Sequence, residues 1–370
     1  MALSNSPIVL IAPLDWGLGH ATRCIPVIRE LKKQGAYVIV GGSKAVLNRL
    51  REAGADKEVP LEGYTVTYSN FLPAWLSAAL QYKSLMNSVD AEHRQLSSLI
   101  KKHRVSGIIS DNRYGLFSSS KQIPSILITH QLQPSIPLTG LFQRIINRKM
   151  RGLINPFDEV WIPDLPRKNT LSGKLSLPFK GLPPVKYVGW LSRFENPLIP
   201  SEKKWDLLLL LSGPEPQKSI FRNEAIRFAL DHKLKIAITS TGESLPTGHD
   251  GGILIHEFLN PDDQHFQELV SQSERILVRS GYSSLMDLLR LNRSAMLVPT
   301  PGQTEQEYLA KIAKDRFGFK ICSQRSLKNA WADISTENSP VNYSEVNAGF
   351  LRGKALLAES ISAFLVRLAK

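Results

Sequence analysis

Three short stretches of this 370-residue sequence combine side chains and backbone that can do chemistry. In DWGLGHATR, residues 15–23, Gly17 and Gly19 form a turn that delivers His20 to the start of a helical pattern. An imidazole titrates near neutral pH, so it accepts a proton without much tuning. Glycines between a strand and a helix let the backbone approach a ligand closely, and the helix N-terminus adds free N–H groups and positive potential. The same residues equally suit a plain structural turn. Their spacing is G-x-G-H, not the G-x-G-x-x-G of dinucleotide-binding turns.

The second stretch is LVRSGYSSLMDLL, residues 277–289. An apolar strand pattern runs into Ser280 and Gly281, and Ser283 and Ser284 open a helix, which makes a cradle of amides and hydroxyls suited to an anion. Asp287, one turn in, is either a carboxylate for a ribose diol or an ordinary partner of the helix dipole. The third, VPTPGQTEQEYLAKIA at 298–313, clusters Thr304, Glu305, Gln306 and Glu307 where a strand end passes into a helix. Open α/β sheets bind ligands at such ends, and these groups suit sugar hydroxyls; they are equally the acidic start of a helix. Ser212 and Gly213, in LLSGPEPQKS, form a further turn able to touch a phosphate.

These stretches need strands to end at them and helices to begin there. IVLIAPL, AYVIVGG, VSGIISD, IPSILITH and EVWIPD read as buried strands, with helical spacing in CIPVIRELKKQ, SKAVLNRLREAG and AEHRQLSSLIKKH between them. From Asp164 to Lys204 the periodicity weakens and prolines cluster, which marks a domain connection. The pattern then restarts with WDLLLLLSG, KIAITST, GILIHEF, RILVRSG, SAMLVPT and FGFKICS, and closes on a long amphipathic helix over 346–370. The expectation is an α/β protein of two Rossmann-like halves with parallel sheets, in keeping with a length beyond that of a single core.

The formal net charge is +13, and +12 of it falls in residues 1–187. A basic half-molecule points to an anionic partner or to solubilising surface lysine. Nucleic acid is disfavoured, because the cations are not interleaved with aromatics and no RNA or DNA motif is present. LFQRIINRKMRGLI, residues 141–154, sets Leu141, Phe142, Ile145, Ile146, Met150 and Leu153 opposite Arg144, Arg148, Lys149 and Arg151. This is either a membrane-surface helix or a surface helix packed on the core. The apolar, aromatic segment at 71–86 accompanies it. No stretch reads as a secretory signal or a membrane span, and two cysteines, Cys24 and Cys322, make neither a disulfide framework nor a zinc site. A cytoplasmic setting is expected, with peripheral contact at the inner face of the cell membrane.

The order of a glycine turn with histidine, a proline-rich connection and then RSGYSSLMDLL…LVPTPGQTEQEYLA resembles the GT-B glycosyltransferases, above all MurG, the peptidoglycan N-acetylglucosaminyltransferase, and its relatives. GLGH is similar to that family's first glycine loop. SDNRYG falls where a second glycine loop is expected but carries Asp111, Asn112 and Arg113, and THQLQP keeps His130 and Gln131 of a His-Glu-Gln-Asn segment. The resemblance implies a GT-B fold: an acceptor-binding domain over 1–187, a nucleotide-sugar domain over 188–345, a cleft between them, and a helix at 346–370 returning to the first domain. It implies a nucleoside-diphosphate sugar, UDP-linked, held by Ser212, Gly213, Arg279, Ser280, Gly281, Ser283, Ser284, Asp287, Thr304, Glu305, Gln306 and Glu307. The acceptor, a glycan or a lipid-linked one, would meet Gly17, Gly19, Asp111, Asn112, Arg113, His130 and Gln131. His20 would act as the base of an inverting hexosyl transfer that needs neither metal nor cofactor, at an anionic membrane surface reached through 141–154 and 71–86.

Two other readings use the same architecture. A UDP-sugar 2-epimerase would need more acid and base groups than these stretches supply. A catalytically silent nucleotide-sugar binder would keep the Asp287 and Gln306 side and have no use for His20.

Overall fold

The computed structural model describes residues 6–15, 18–61, 82–133, 141–166, 170–199, 201–240, 254–329 and 342–369. The chain divides into two compact units, with the boundary at Arg193 and Phe194; from Ala348 on, the chain belongs again to the first. Each is considered by itself.

The first unit is built on a seven-stranded parallel sheet of β1 (Ile8–Pro13), β2 (Tyr37–Gly42), β3 (Lys57–Pro60), β4 (Gly107–Asp111), β5 (Ser125–Ile128), β6 (Glu159–Ile162) and β7 (Val185–Tyr187), in the order β3-β2-β1-β4-β5-β6-β7. Its helices are α1 (Gly19–Lys33), α2 (Lys44–Arg51), α3 (Tyr82–His103) and α4 (Leu141–Ile154). The inner strands β1, β2, β4 and β5 are largely apolar and buried because both faces are covered. Val9 and Ile11 of β1 pack with Ile25 and Ile28 of α1, whereas Leu10 and Ala12, on the other face, pack with Leu96 of α3. The same two-residue alternation holds in β2, where Val38 and Val40 join the first cluster and Ile39 the second. Burying each such side chain contributes about 1.5–3 kcal/mol.

The proline-rich stretch expected to connect the domains is in large part a structural piece of this unit. Buried Asp164 gathers it: its carboxylate accepts from the Leu165, Leu171 and Ser172 amides at 2.7, 3.0 and 2.7 Å, and from the Trp190 indole at 2.8 Å. Those bonds supply the partners that a strand or helix would otherwise provide. Trp190 lies edge-on to Phe350, 5.4 Å away, on helix α9 (Tyr343–Leu368), whose later residues Leu357, Ile361 and Phe364 enter the cluster around β1. The backbone at Gly189 and Gly353 meets so closely that a Cβ on Gly189 would lie 2.0 Å from the Gly353 Cα.

The second unit repeats the plan. Strands β8 (Trp205–Leu210), β9 (Ile236–Ser240), β10 (Ile255–Leu259), β11 (Ser273–Val278), β12 (Met296–Leu297) and β13 (Lys320–Ile321) form a six-stranded parallel sheet in the order β10-β9-β8-β11-β12-β13. Its helices are α5 (Gln217–Asp231), α6 (Asp263–Ser271), α7 (Tyr282–Arg290) and α8 (Thr304–Phe317). In both sheets the strand order reverses beside the unit's first strand, between β1 and β4 and between β8 and β11. That reversal opens a crevice at the carboxyl ends of the strands.

Gly189 also has φ +86, a left-handed conformation that an L side chain resists. Gly189→Ala is therefore expected to lower unfolding free energy by about 3 kcal/mol or more, from backbone strain and overpacking together. Urea denaturation measures it, and a loss under about 1 kcal/mol would show that α9 is not seated on this glycine.

Candidate functional site

In the first unit the chemistry collects at the β1/β4 reversal. His20 is the second residue of α1 and its side chain is 18% exposed. Its Nδ1 lies 2.8 Å from Oδ1 of Asp111, the last residue of β4, which has no exposed surface. Arg23, nearly one turn further along α1 and 2% exposed, donates from Nε to Asp111 Oδ2 at 2.7 Å and from Nη2 to Oδ1. Its Nη1 donates to Nδ1 of His130, just beyond β5, at 2.8 Å.

Arg23 Nη2 also comes within 2.7 Å of His20 Nδ1, and the carboxylate decides where the ring proton sits. Burial alone would raise the Asp111 pKa, but Arg23 and then His20 carry it well below the usual carboxylate range. A charged oxygen beside Nδ1 can only accept. The His20 proton is therefore on Nδ1, and Nε2 keeps its lone pair. Loss of solvation lowers the His20 pKa; Asp111 opposes this and Arg23 reinforces it, leaving the net value below the ordinary 6.5. The ring is uncharged at neutral pH and ready to take a proton.

The other residues expected to meet an acceptor divide by burial. Asp111 and Arg113 are internal. Arg113 donates from Nε to Glu92 of α3 and reaches Asp15 Oδ2 at 3.3 Å, which ties α3 to the residue two past the end of β1. Asn112 between them takes φ +55, a left-handed turn that asparagine tolerates, and its side-chain oxygen is buried without a hydrogen bond among the described residues. His130 is 5% exposed, while Gln131 is half-buried and donates its amide to Thr129 Oγ1 at 3.1 Å. Gly19 begins α1, and Gly17 lies outside the described residues. Sequence reasoning missed Arg23, Asp15 and Glu92. A signal for Arg23 was present: a cation so near the start of a helix opposes its dipole and needs an anion to hold it.

In the second unit, Gly213 follows β8 with φ +100 and an open approach, and Ser212 beside it is exposed. Gly281 caps α7, whose first residues include half-buried Ser283 and Ser284; Asp287 is 7% exposed. These groups flank the β8/β11 reversal. Three of the expected donor residues make hydrogen bonds within the fold. Ser280 is buried and donates to the Gln306 carbonyl at 2.7 Å. The Gln306 side chain closes its own turn, accepting from the Thr300 amide at 2.8 Å and donating to Gln303 Oε1 at 2.5 Å. Arg279, 2% exposed, donates to the carbonyls of Val298 at 3.0 Å and Gln217 at 3.2 Å and to Gln324 Oε1 at 2.7 Å, with its guanidinium 4.0 Å from the centre of the Phe221 ring. Thr304 and Glu305 are half-buried at the start of α8, and exposed Glu307 borders a cavity of 420 Å³ with Gly302, Cys322, Gln324 and Arg325.

No protein-family model matches the sequence, and no curated protein matches it. Solved structures do. The glycosyltransferase UGT89C1 of Arabidopsis thaliana, complexed with UDP-L-rhamnose, aligns with a TM-score of 0.66 at 13% identity, over 99% of this chain and 100% of its own. The calicheamicin glycosyltransferase CalG4 aligns at 0.64 and 13%, over 99% and 100%. The spinosyn rhamnosyltransferase SpnG, complexed with thymidine diphosphate, aligns at 0.55 and 14%, over 96% of each chain. The chain has the GT-B fold. The likeness extends along nearly the whole chain and is a likeness of fold, so the expected architecture is met.

The Arg23–Asp111 pair is 1% and 0% exposed, so removing either member strands the other. Arg23→Met and Asp111→Asn are each expected to cost about 3–5 kcal/mol, and Arg23→Met/Asp111→Leu far less than the two losses added. Urea unfolding of the three variants checks this; additive losses would mean that the pair is not coupled.

Proposed function

We propose that this protein is an inverting glycosyltransferase that moves a hexose or N-acetylhexosamine from a nucleoside-diphosphate sugar to an acceptor hydroxyl. The observation that carries the reading is the His20–Asp111 pair at the strand reversal of a GT-B unit. His20 Nε2 takes the hydroxyl proton as the acceptor oxygen attacks the anomeric carbon from the side opposite the leaving group. The bond from that carbon to the diphosphate oxygen breaks, its electron pair leaves with the phosphate, and the configuration inverts. Asp111 stays charged and stabilises the imidazolium that forms. In the second unit the Gly213 turn and the amides at the start of α7 offer hydrogen bonds to the departing diphosphate, and Asp287 is assigned to the ribose.

UDP as the carrier is favoured by the motif resemblance and by UGT89C1, which is complexed with UDP-L-rhamnose; SpnG, complexed with thymidine diphosphate, makes TDP the second choice. A thermal-shift and hydrolysis screen across UDP-, GDP- and TDP-sugars tests the donor, with stabilisation and hydrolysis expected for UDP-sugars. His20→Ala is expected to reduce transfer roughly 10²–10⁴-fold while the donor-induced thermal shift survives. In the wild type, turnover falls on acidification only through a pH below 6.5, because the base must be uncharged and its pKa is lowered. Undiminished turnover in His20→Ala would end the proposal.

The acceptor is proposed to be lipid-linked and reached at an anionic surface through the first half of α4. Ile145 there is 47% exposed, with Arg144, Arg148 and Lys149 exposed around it. The second half is spent on the core: Leu153 and Ile154 are buried, Met150 packs beside them, and Arg151 lies over Phe179. Of the accompanying 71–86 segment, residues 71–81 lie outside the described residues. Each cation near anionic lipid contributes about 1 kcal/mol. Co-sedimentation with phosphatidylserine vesicles is expected to weaken in high salt and in Ile145→Glu. Binding indifferent to lipid charge and to salt would sink the membrane assignment.

A further inference from the structure

We infer that Arg23 is a positioning residue for the proposed transfer, fixing His20 and His130 in opposite tautomers so that one offers a lone pair and the other an N–H. The inference rests on the glycosyltransferase reading only for its use in catalysis; the tautomers follow from hydrogen-bond chemistry. A guanidinium has N–H donors and no acceptor. Its Nη1 lies 2.8 Å from His130 Nδ1, so that nitrogen accepts and the His130 proton is on Nε2. The same guanidinium grips both oxygens of Asp111 through Nε and Nη2, and Asp111 Oδ1, 2.8 Å from His20 Nδ1, requires a proton on that nitrogen. Arg23 Nη2 also lies 2.7 Å from His20 Nδ1, but Nη2 spends its hydrogen on Asp111 Oδ1, whereas Nη1 donates to His130 Nδ1, so one buried cation reads two imidazoles in opposite senses.

The arrangement depends on the fork. Arg23 on α1 spans Asp111 at the end of β4 and His130 just past β5, adjacent strands in the sheet. An ammonium can sit near Asp111 but has no planar set of donors to engage both carboxylate oxygens and His130 together. The titratable groups facing His20 are Asp111 from β4, Arg23 from its own helix and His130 beyond β5. Cys24, whose Sγ is 3.6 Å from Asp111 Oδ2, and Tyr114, which the Asp111 charge influences, complete the surroundings of that carboxylate.

The test is long-range ¹H–¹⁵N correlation on the full chain labelled at its 8 histidines, with His20 and His130 assigned from His20→Gln and His130→Gln. Wild type is expected to show His20 protonated at Nδ1 and His130 at Nε2. In Arg23→Lys, His130 is expected to become a mixture of tautomers while His20 keeps its Asp111 bond. In Arg23→Gln, the acid limb of UDP-sugar turnover moves to higher pH, because a cation that lowers the His20 pKa has gone. Circular dichroism checks each fold; if Arg23→Gln does not fold, the charge-retaining Arg23→Lys carries the comparison. Like tautomers in wild type, or an unchanged His130 in folded Arg23→Lys, would overturn the inference. The spectra need no donor or acceptor. Opposed tautomers in a chain that turns over no UDP-, GDP- or TDP-sugar would refute the transferase reading alone.

Discussion

The buried ion pair of Arg23 and Asp111 is the constraint on which the first unit's site is built. Two full charges under the rim of a sheet carry a heavy desolvation penalty, and only close, forked geometry offsets it. That geometry requires α1 to start almost at once after β1, so that its fifth residue lies over the end of β4. It also requires the segment past β5 to bring His130 to the third guanidinium nitrogen. Only five residues separate β1 from α1, and Arg113 reaches Asp15 among them. Asp111 and Arg113 are two positions apart yet serve different layers, one bonded to α1 and the other to α3. The left-handed step at Asn112 between them is how one strand end supplies both.

Much of this fold was legible because its causes are local. Short apolar runs such as IVLIAP and LLLL, bounded by turn residues, suit strands covered on both faces, and the helical spacing between them suits parallel connections. β3, with the pattern exposed, half-buried, buried, exposed, and three-residue β7 escaped notice; as outer members of the sheet they carry too little apolar signal. β12 and β13 were legible as apolar runs but form only two-residue ladders. At the site, His20 could be found from its neighbours in sequence. Its partner could not be assigned that way, because Asp111 is 91 residues distant, in SDNRYG, where it was expected among the acceptor contacts. What a carboxylate does at a strand end depends on whether a cation is buried beside it, and that is a fact of packing. Packing likewise gives Ser280 and Gln306 hydrogen bonds that their sequence positions did not reveal, Ser280 to the Gln306 carbonyl and Gln306 to the Thr300 amide.

The two units also treat a buried arginine in opposite ways. In the first, Arg23 is neutralised by Asp111, and the imidazole beside the pair, the proposed base, is uncharged. In the second, Arg279 at the end of β11 donates to backbone carbonyls and an amide oxygen and stacks on Phe221, with no carboxylate bonded to it among the described residues. Burial pulls its pKa down to about 9, which still leaves it charged at neutral pH. Its Nη1 and Nη2 are bonded within the fold. Its charge is nonetheless uncancelled, one residue from Ser280 and two from the Gly281 cap of α7, where the helix start adds potential of the same sign. A proton-transfer site is served by charge that cancels, because a strong field would pin the base in one protonation state. An anion site is served by charge that remains, because the ligand brings the compensation with it. The same strand reversal thus carries a neutralised buried cation in one unit and an uncancelled one in the other, the difference on which the proposed proton transfer and diphosphate binding would draw.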